Sequence, residues 1–196
     1  MHDSAPYINI HTHNKVEGEL SILTVGIHPY AAEGEERLEE SAIGESVEAI
    51  GEIGLDFSIP IDRDVQETVF REQLALAQKL GFPVVIHAVR SVDYTLEVLR
   101  EYKLRAVIIH GFIGSKQLTQ KATRLGYYLS FGHRCFTSPK TLEALRETPL
   151  GNIFFETDTL DISIEEIYNR AAAYRVESLE EIKEQIYKNY KLIFNK

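Results

Sequence analysis

Cysteine is almost missing from this chain of 196 residues, which carries only Cys135. One thiol excludes a disulfide framework and any zinc site built on several thiolates. Basic residues are in deficit as well: 21 Lys plus Arg face 30 Asp plus Glu, a formal net charge of −9. An acidic surface repels phosphate backbones, which argues against a protein that coats nucleic acid broadly. It leaves room for a local site where bound cations reverse the sign. No apolar run approaches the ~18 residues of a membrane span. Residues 1–15 hold no basic-then-apolar leader pattern, and no linker, repeat or low-complexity tract interrupts the chain. These absences lead to the expectation of one cytoplasmic domain over residues 1–196, with no membrane association and no obligate protein partner.

What is present is an alternation of short apolar runs with longer amphipathic stretches. The runs are Tyr7–Ile10, Ile22–Val25, Ala49–Ile53, Val84–Ile86, Ala106–Ile109, Tyr127–Phe131 and Ile153–Phe155. Apolar residues at successive positions mark strands covered on both faces, as in a parallel sheet. Between them, Asp64–Leu80 carries Val65, Val69, Leu76 and Leu80 on a helical repeat, with Phe70, Leu74 and Ala77 adjoining, and ends at Gly81 and Pro83. Helical patterns recur over Val92–Tyr102, Ser115–Leu125 and Thr141–Arg146, the last entered through Ser138-Pro139. Ser163 with Glu166, and Ser178 with Glu181, read as capping boxes. The acidic stretch Glu33–Ser46 reads as a solvated loop or short helix. The pattern predicts an α/β fold of seven strands built from βαβ units.

Histidines fall at the ends of these runs. His11 and His13 follow the first, His28 the second, His87 the fourth and His110 the fifth; His133 lies two residues past the sixth. His2 is placed in a terminal tail. Glu52 and Asp56 lie near the end of the third run, and Glu156 and Asp158 at the end of the seventh. In a parallel α/β fold the carboxyl ends of the strands share one side, where sites are built. A lone histidine there is usually a partly buried polar residue. Six of them converging with carboxylates require partners, and a metal ion is the usual one. In His11-Thr12-His13, extended backbone turns both imidazoles to the same face. Imidazole plus carboxylate suits Zn, Mn, Co, Fe or Ni. Four histidines with Glu52 and Asp158 exceed what one tetrahedral ion needs, whereas two ions sharing a carboxylate would use them all. Such pairs suit phosphate-ester hydrolysis.

At these residues the chain resembles the TatD family of metal-dependent hydrolases, within the amidohydrolase-like TIM barrels. The resemblance runs in order through Asn9-Ile-His-Thr-His13, Val25-Gly-Ile-His-Pro29, Gly51-Glu-Ile-Gly-Leu-Asp56, Pro83-Val-Val-Ile-His-Ala-Val-Arg90, Ile109-His-Gly-Phe-Ile-Gly114, Tyr128-Leu-Ser-Phe-Gly132 and Phe155-Glu-Thr-Asp158. It implies a TIM-barrel-like (β/α) fold and a dinuclear centre holding two divalent ions (Zn, Mn, Co or Mg). By resemblance, His11, His13 and Asp158 hold one ion and His87 and His110 the other, with Glu52 bridging. Asp158 is then the residue that accepts a proton from the attacking water. The family is associated with deoxyribonuclease activity, so phosphodiesters are the implied substrates, single-stranded DNA ends among them.

The chain departs from that pattern in three places. Asn9 stands where the family usually has Asp, a change expected to soften the support of His11 or His13. Eight residues, Asn14 to Ser21, separate His13 from the second run, where the family spends several tens; one βα unit is therefore expected to be missing after the first strand. The segment Thr159–Ser163 replaces a longer loop beside the site. A chain of 196 residues accordingly lies just below the ~200-residue lower edge of (β/α)₈ barrels.

Around the expected ligands, Arg90 and His28 are candidate substrate contacts. The alternatives are a helix-entry arginine paired with Asp93, and a structural cap. His133, with Arg134 and Lys140, forms the one basic cluster near the expected rim, and solvated loop charge is its simpler reading. Asp56 reads as a supporting or turn carboxylate, Cys135 as an unreactive buried or loop thiol, and Tyr168, Tyr174, Tyr187 and Tyr190 as packing residues. Two alternatives stand beside the phosphodiesterase expectation: a small-molecule phosphatase or esterase using the same metals, and a metal-binding homologue without turnover.

Overall fold

The computed structural model describes residues 5–14 and 16–194; His2 and its tail lie outside them. The chain divides into two compact units, residues 23–109 and residues 1–22 with 110–196.

In the unit of residues 23–109, four strands form a parallel sheet in chain order. They are β1 (Thr24–Val25), β2 (Ala49–Asp56), β3 (Val84–Val89) and β4 (Val107–Ile109). The fully buried Ile50, Ile53, Leu55, Val84, Val85 and Ile86 explain why these runs are apolar throughout. β2 is three residues longer than its apolar run, extending to Asp56, and its register with β3 shifts between Ile50 and Ile53, the stretch that holds Glu52. Such irregularities re-aim a side chain. Gly54, at φ +147, could not be any other residue: a Cβ there would lie 2.0 Å from the His87 carbonyl oxygen.

Two helices accompany this sheet, α1 (Arg63–Leu80) and α2 (Val92–Leu99). α1 is capped by the Asp62 carboxylate, which accepts from the Asp64 and Val65 N–H groups, and stops at Gly81 in a left-handed conformation. Its buried face differs from the expected stripe, because two glutamines, Gln66 and Gln73, lie inward beside Val69, Phe70, Leu74 and Ala77. α2 ends three residues earlier than its pattern, at Leu99. The acidic stretch 33–46 contains one short 3₁₀ turn, Glu40–Ala42.

In the other unit, helices α3 (Lys116–Arg124), α4 (Pro139–Glu147), α5 (Ile164–Tyr174) and α6 (Leu179–Phe194) surround β5 (Tyr128–Phe131) and β6 (Ile153–Phe155), a parallel pair. Ser138 caps α4, Ser163 caps α5, and before α6 Ser178 and Glu181 exchange hydrogen bonds as a full capping box.

Six strands are formed among the described residues, against seven expected. Tyr7–Ile10, the expected first strand, makes only an isolated parallel bridge, Ile8 to Leu20. The reason lies at Ile8, whose backbone is taken by a side chain: the Tyr168 hydroxyl donates to its carbonyl at 3.1 Å and accepts from its N–H at 3.2 Å. The neighbours are still tied in, with Asn9 N–H donating to Leu20 O and Ile10 N–H to Phe155 O. No helix lies among the described residues between His13 and Leu23, as the shortened connection predicts. Among the described residues no helix is long and apolar enough to cross a membrane.

Candidate functional site

In the unit that contains the first and last parts of the chain, backbone pairing sets the geometry of the histidines. Asp158 N–H donates to His11 O at 3.1 Å, and His13 N–H donates to Asp158 O at 3.0 Å. Asp158 is thus clamped between the two histidines of the His-x-His dyad. It adopts φ 54, a left-handed conformation that costs a non-glycine residue about 1 kcal/mol or more. The result is convergence: Nε2 of His11 and Nε2 of His13 each lie 3.6 Å from Oδ1 of Asp158. Donors bound at about 2.1 Å to one ion are separated by about 3.4 Å at tetrahedral angles. The three donors therefore have the spacing of a ligand set, and one from each residue falls within 4.8 Å of the others. His11 is buried, whereas His13 and Asp158 are 56% and 42% exposed, so the group opens to solvent. His110 packs its ring 4.4 Å from that of His11, with Nδ1 3.4 Å from Glu156 Oε1.

Asn9 supports this group in a way that an aspartate would not. Its amide nitrogen donates to Glu19 Oε2 at 3.0 Å and to Thr157 Oγ1 at 2.9 Å, and its carbonyl accepts from Thr157 N–H at 3.1 Å. Thr157 in turn donates to Thr12 Oγ1 at 3.1 Å. The segments bearing His11, His13 and Asp158 are cross-linked through one buried amide. A carboxylate at position 9 would have nothing to donate and would face Glu19.

The unit of residues 23–109 holds a second group, His28, Glu52 and His87, again with one donor atom from each within 4.8 Å. Its spacing is tighter. His87 Nδ1 lies 2.6 Å from Glu52 Oε1, and His28 Nε2 lies 3.2 Å from the same oxygen. A separation of 2.6 Å is a hydrogen bond, which an ion taken by both residues would replace. The other nitrogen of His87 lies 3.1 Å from Asp56 Oδ2, so a buried carboxylate stands behind the ring. Such a partner orients a metal-binding imidazole. Burial opposes the charge of Asp56, yet hydrogen bonds from the Ser58 hydroxyl and N–H, and from His87, hold it below the usual carboxylate range. His28 takes the cap role: Nδ1 accepts from Tyr30 N–H at the start of a short 3₁₀ turn, while Nε2 lies 3.2 Å from Glu52 Oε1.

The two inward glutamines of α1 position this group. Gln73 accepts from Ile27 N–H at 2.7 Å and donates to Ile27 O at 3.1 Å, holding the backbone just before His28. Gln66 accepts from Asp56 N–H at 2.8 Å and donates to Asp56 O at 3.0 Å. Sequence reasoning passed over both. The available signal was a pair of amides seven residues apart on an otherwise apolar helix face.

A sequence model of the family described as TatD related DNase matches residues 7–195. The chain belongs to the TatD family. It is 34% identical over 126 residues to the "Uncharacterized metal-dependent hydrolase YabD" of Bacillus subtilis, an alignment covering 62% of this chain and 49% of that protein. It is 31% identical over 116 residues to human "Deoxyribonuclease TATDN3", covering 57% and 42%. The chain thus spans about half the length of the curated relatives it matches. Among solved structures, a TatD family hydrolase of Entamoeba histolytica aligns over 97% of this chain and 98% of its own, with a TM-score of 0.79 at 16% identity. That likeness establishes a shared α/β fold.

Other residues singled out in this TatD sequence take varied places. Arg90 is exposed and adopts φ 54, a left-handed conformation. His133 Nδ1 faces Arg170 Nη1 at 3.1 Å, and that guanidinium also lies over the Phe136 ring at 4.4 Å. Since arginine only donates, His133 accepts at Nδ1 and its ring N–H is at Nε2. Burial pushes the Cys135 thiol up to about 12, which suits its reading as an unreactive thiol. Tyr168 does more than pack, as its grip on Ile8 demonstrates.

Proposed function

We propose that this chain is a metal-dependent hydrolase of phosphate esters, with phosphodiesters such as single-stranded DNA ends as its substrates. The observation that carries the reading is the convergence of His11 and His13 Nε2 on Asp158 Oδ1 at ligand spacing. Two divalent ions are proposed, with ligands drawn from His11, His13, Glu52, His87, His110 and Asp158. When bound, such ions activate water and offset the charge of the phosphate. They also answer the −9 net charge locally, where an anionic substrate must approach. Asp158 is proposed to accept the proton of the attacking water; its partly exposed carboxylate and its backbone, pinned on both sides, support that role. Exposed Arg90 is assigned to a substrate phosphate oxygen, which a guanidinium binds bidentately. His28 is assigned to hold Glu52, its Nε2 being 3.2 Å away.

A small-molecule phosphatase is the second reading, favoured by the five residues 159–163 that separate Asp158 from α5. One assay panel separates the two. The protein is loaded with Mn²⁺, Co²⁺ or Zn²⁺ and offered single-stranded DNA, mononucleotides and sugar phosphates. Release of nucleotides from DNA ends, lost in His11→Ala and Asp158→Asn, is the expected result. Turnover of monoesters alone would shift the assignment to the phosphatase. A fully metallated protein that hydrolyses none of them overturns both.

A further inference from the structure

Glu156 is named by none of the roles above, yet it is among the least exposed ionisable residues of the chain, at 1%. It directly follows β6, two residues before Asp158. Its Oε1 accepts from Gly111 N–H at 2.6 Å and lies 3.4 Å from Nδ1 of His110. Oε2 is buried and has no hydrogen-bond partner among the described residues. A buried carboxylate with an idle oxygen is uncommon, because desolvation of that oxygen is uncompensated. The surroundings are shaped for it. Gly111 adopts φ +53, and a Cβ there would sit 3.5 Å from Oε1; a Cβ on Gly132 would sit 3.4 Å from Cγ. Both distances are ordinary contacts, so it is the positive φ of Gly111 that matters: it turns the Gly111 N–H onto this carboxylate.

We propose that Glu156 is a positioning residue for His110. By receiving Gly111 N–H and facing Nδ1 of His110 with the same oxygen, it orients the imidazole so that Nε2, at the other end of the ring, is presented to a divalent ion beside His11. A carboxylate behind a metal-binding histidine fixes its tautomer and raises its basicity. Asp56 stands behind His87 at 3.1 Å, a closer approach than the 3.4 Å between Glu156 and His110, so a carboxylate behind a histidine ring recurs in this chain. The inference rests on the metal-binding reading of His110 and extends it to a residue with no direct ligand role.

The test is a double-mutant cycle read by metal affinity, with Mn²⁺ and Zn²⁺ measured by calorimetry or chelator competition on the whole chain. Glu156→Ala is expected to weaken one ion by about 10–100-fold. Glu156→Gln, which retains an acceptor oxygen, is expected to lose less. In a His110→Ala background the Glu156 substitutions should cost almost nothing further, since they act through the missing ring. Co²⁺ absorption should change in Glu156→Ala and stay as in wild type in Glu156→Gln. A purely structural residue would lower the metal-free melting temperature and leave these metal readouts unmoved. Wild-type affinity in Glu156→Ala, or a full additional loss in the His110→Ala background, overturns the proposal while leaving the metal-binding reading intact. A wild-type chain that binds no divalent ion overturns both. If Glu156→Ala does not fold, the isosteric Glu156→Gln carries the cycle, with its smaller loss expected to vanish in the same background.

Discussion

The histidine groups of the two units differ in spacing, and the difference separates donors at the spacing an ion would require from donors already hydrogen-bonded to one another. Around Asp158 the donors lie 3.6 Å apart, too far for hydrogen bonds and suited to a shared ion. Around Glu52 the shortest separation is 2.6 Å, and His28, His87 and Asp56 satisfy one another without an ion. The supports differ too. Around Asp158 the positions come from backbone clamps and one buried asparagine; around Glu52 they come from a strand irregularity and two helix glutamines. Similar residue types therefore reach different states of readiness, because the first set is held apart by backbone while the second is free to close on itself.

The largest expected effects come from ligand removal. Asp158→Asn and Glu52→Gln should each lower phosphodiester turnover by about 10³-fold, by analogy with the loss of a preorganised charge-stabilising group. Each should also remove one ion from the metal stoichiometry measured by mass spectrometry. A Glu52→Gln protein that keeps both ions would make the closed group structural and break the comparison.

Next come the supports. Tyr168→Phe strands the buried N–H and C=O of Ile8 and should destabilise by about 3 kcal/mol in urea titrations. Gln73→Leu strands those of part-buried Ile27, and a loss of about 2 kcal/mol is expected. It should also weaken metal binding at Glu52, since Ile27 precedes His28, whose Nε2 lies 3.2 Å from that carboxylate. Asn9→Asp tests the first group: restoring the residue usual in the family should cost about 2 kcal/mol here, because the new carboxylate faces Glu19 and loses both donors. A rise in melting temperature in that variant would refute the amide argument.

Arg90→Gly should act in two directions, relieving about 1 kcal/mol of left-handed backbone strain while raising KM several-fold. Unchanged KM would return Arg90 to a plain surface residue. The smallest effect is expected from acid. The Tyr94 hydroxyl, helped by Arg71 and opposed by burial, lowers Glu67 in one unit; Arg175 does the same for Glu177 in the other. Carboxylates held low in the folded state contribute stability above their unfolded pKa of about 4.3 and lose it as pH falls through the folded value. Urea midpoints should accordingly decline below about pH 4.5, by a modest amount because both groups are partly exposed.

Much of this was legible in the residues themselves. Helix ends were marked by local chemistry, as at Gly81, Ser138, Ser163 and Ser178, and six of the seven apolar runs formed strands within a few residues of their expected bounds. The His-x-His dyad and Asp158 were legible as ligand types because imidazole and carboxylate chemistry belongs to the side chain. The rest depended on contacts distant in sequence. Tyr7–Ile10 reads as a strand by composition, and only Tyr168, 160 positions away, explains why Ile8 is held by a hydroxyl. Gln66 and Gln73 look like ordinary polar helix residues until the backbone they grip is known.

What the sequence determined by itself was therefore the inventory: an α/β pattern, a set of histidines and carboxylates at strand ends, and the acidic balance around them. Those follow from periodicity and side-chain chemistry, which are local. Only the tertiary structure decided that Asn9 answers Glu19, that Asp158 is pinned between His11 and His13, and that Glu156 stands behind His110. Differences of an ångström or less, such as 3.6 against 2.6 Å, distinguish donors spaced for an ion from a hydrogen bond, and such distances are set by packing between segments far apart in the chain.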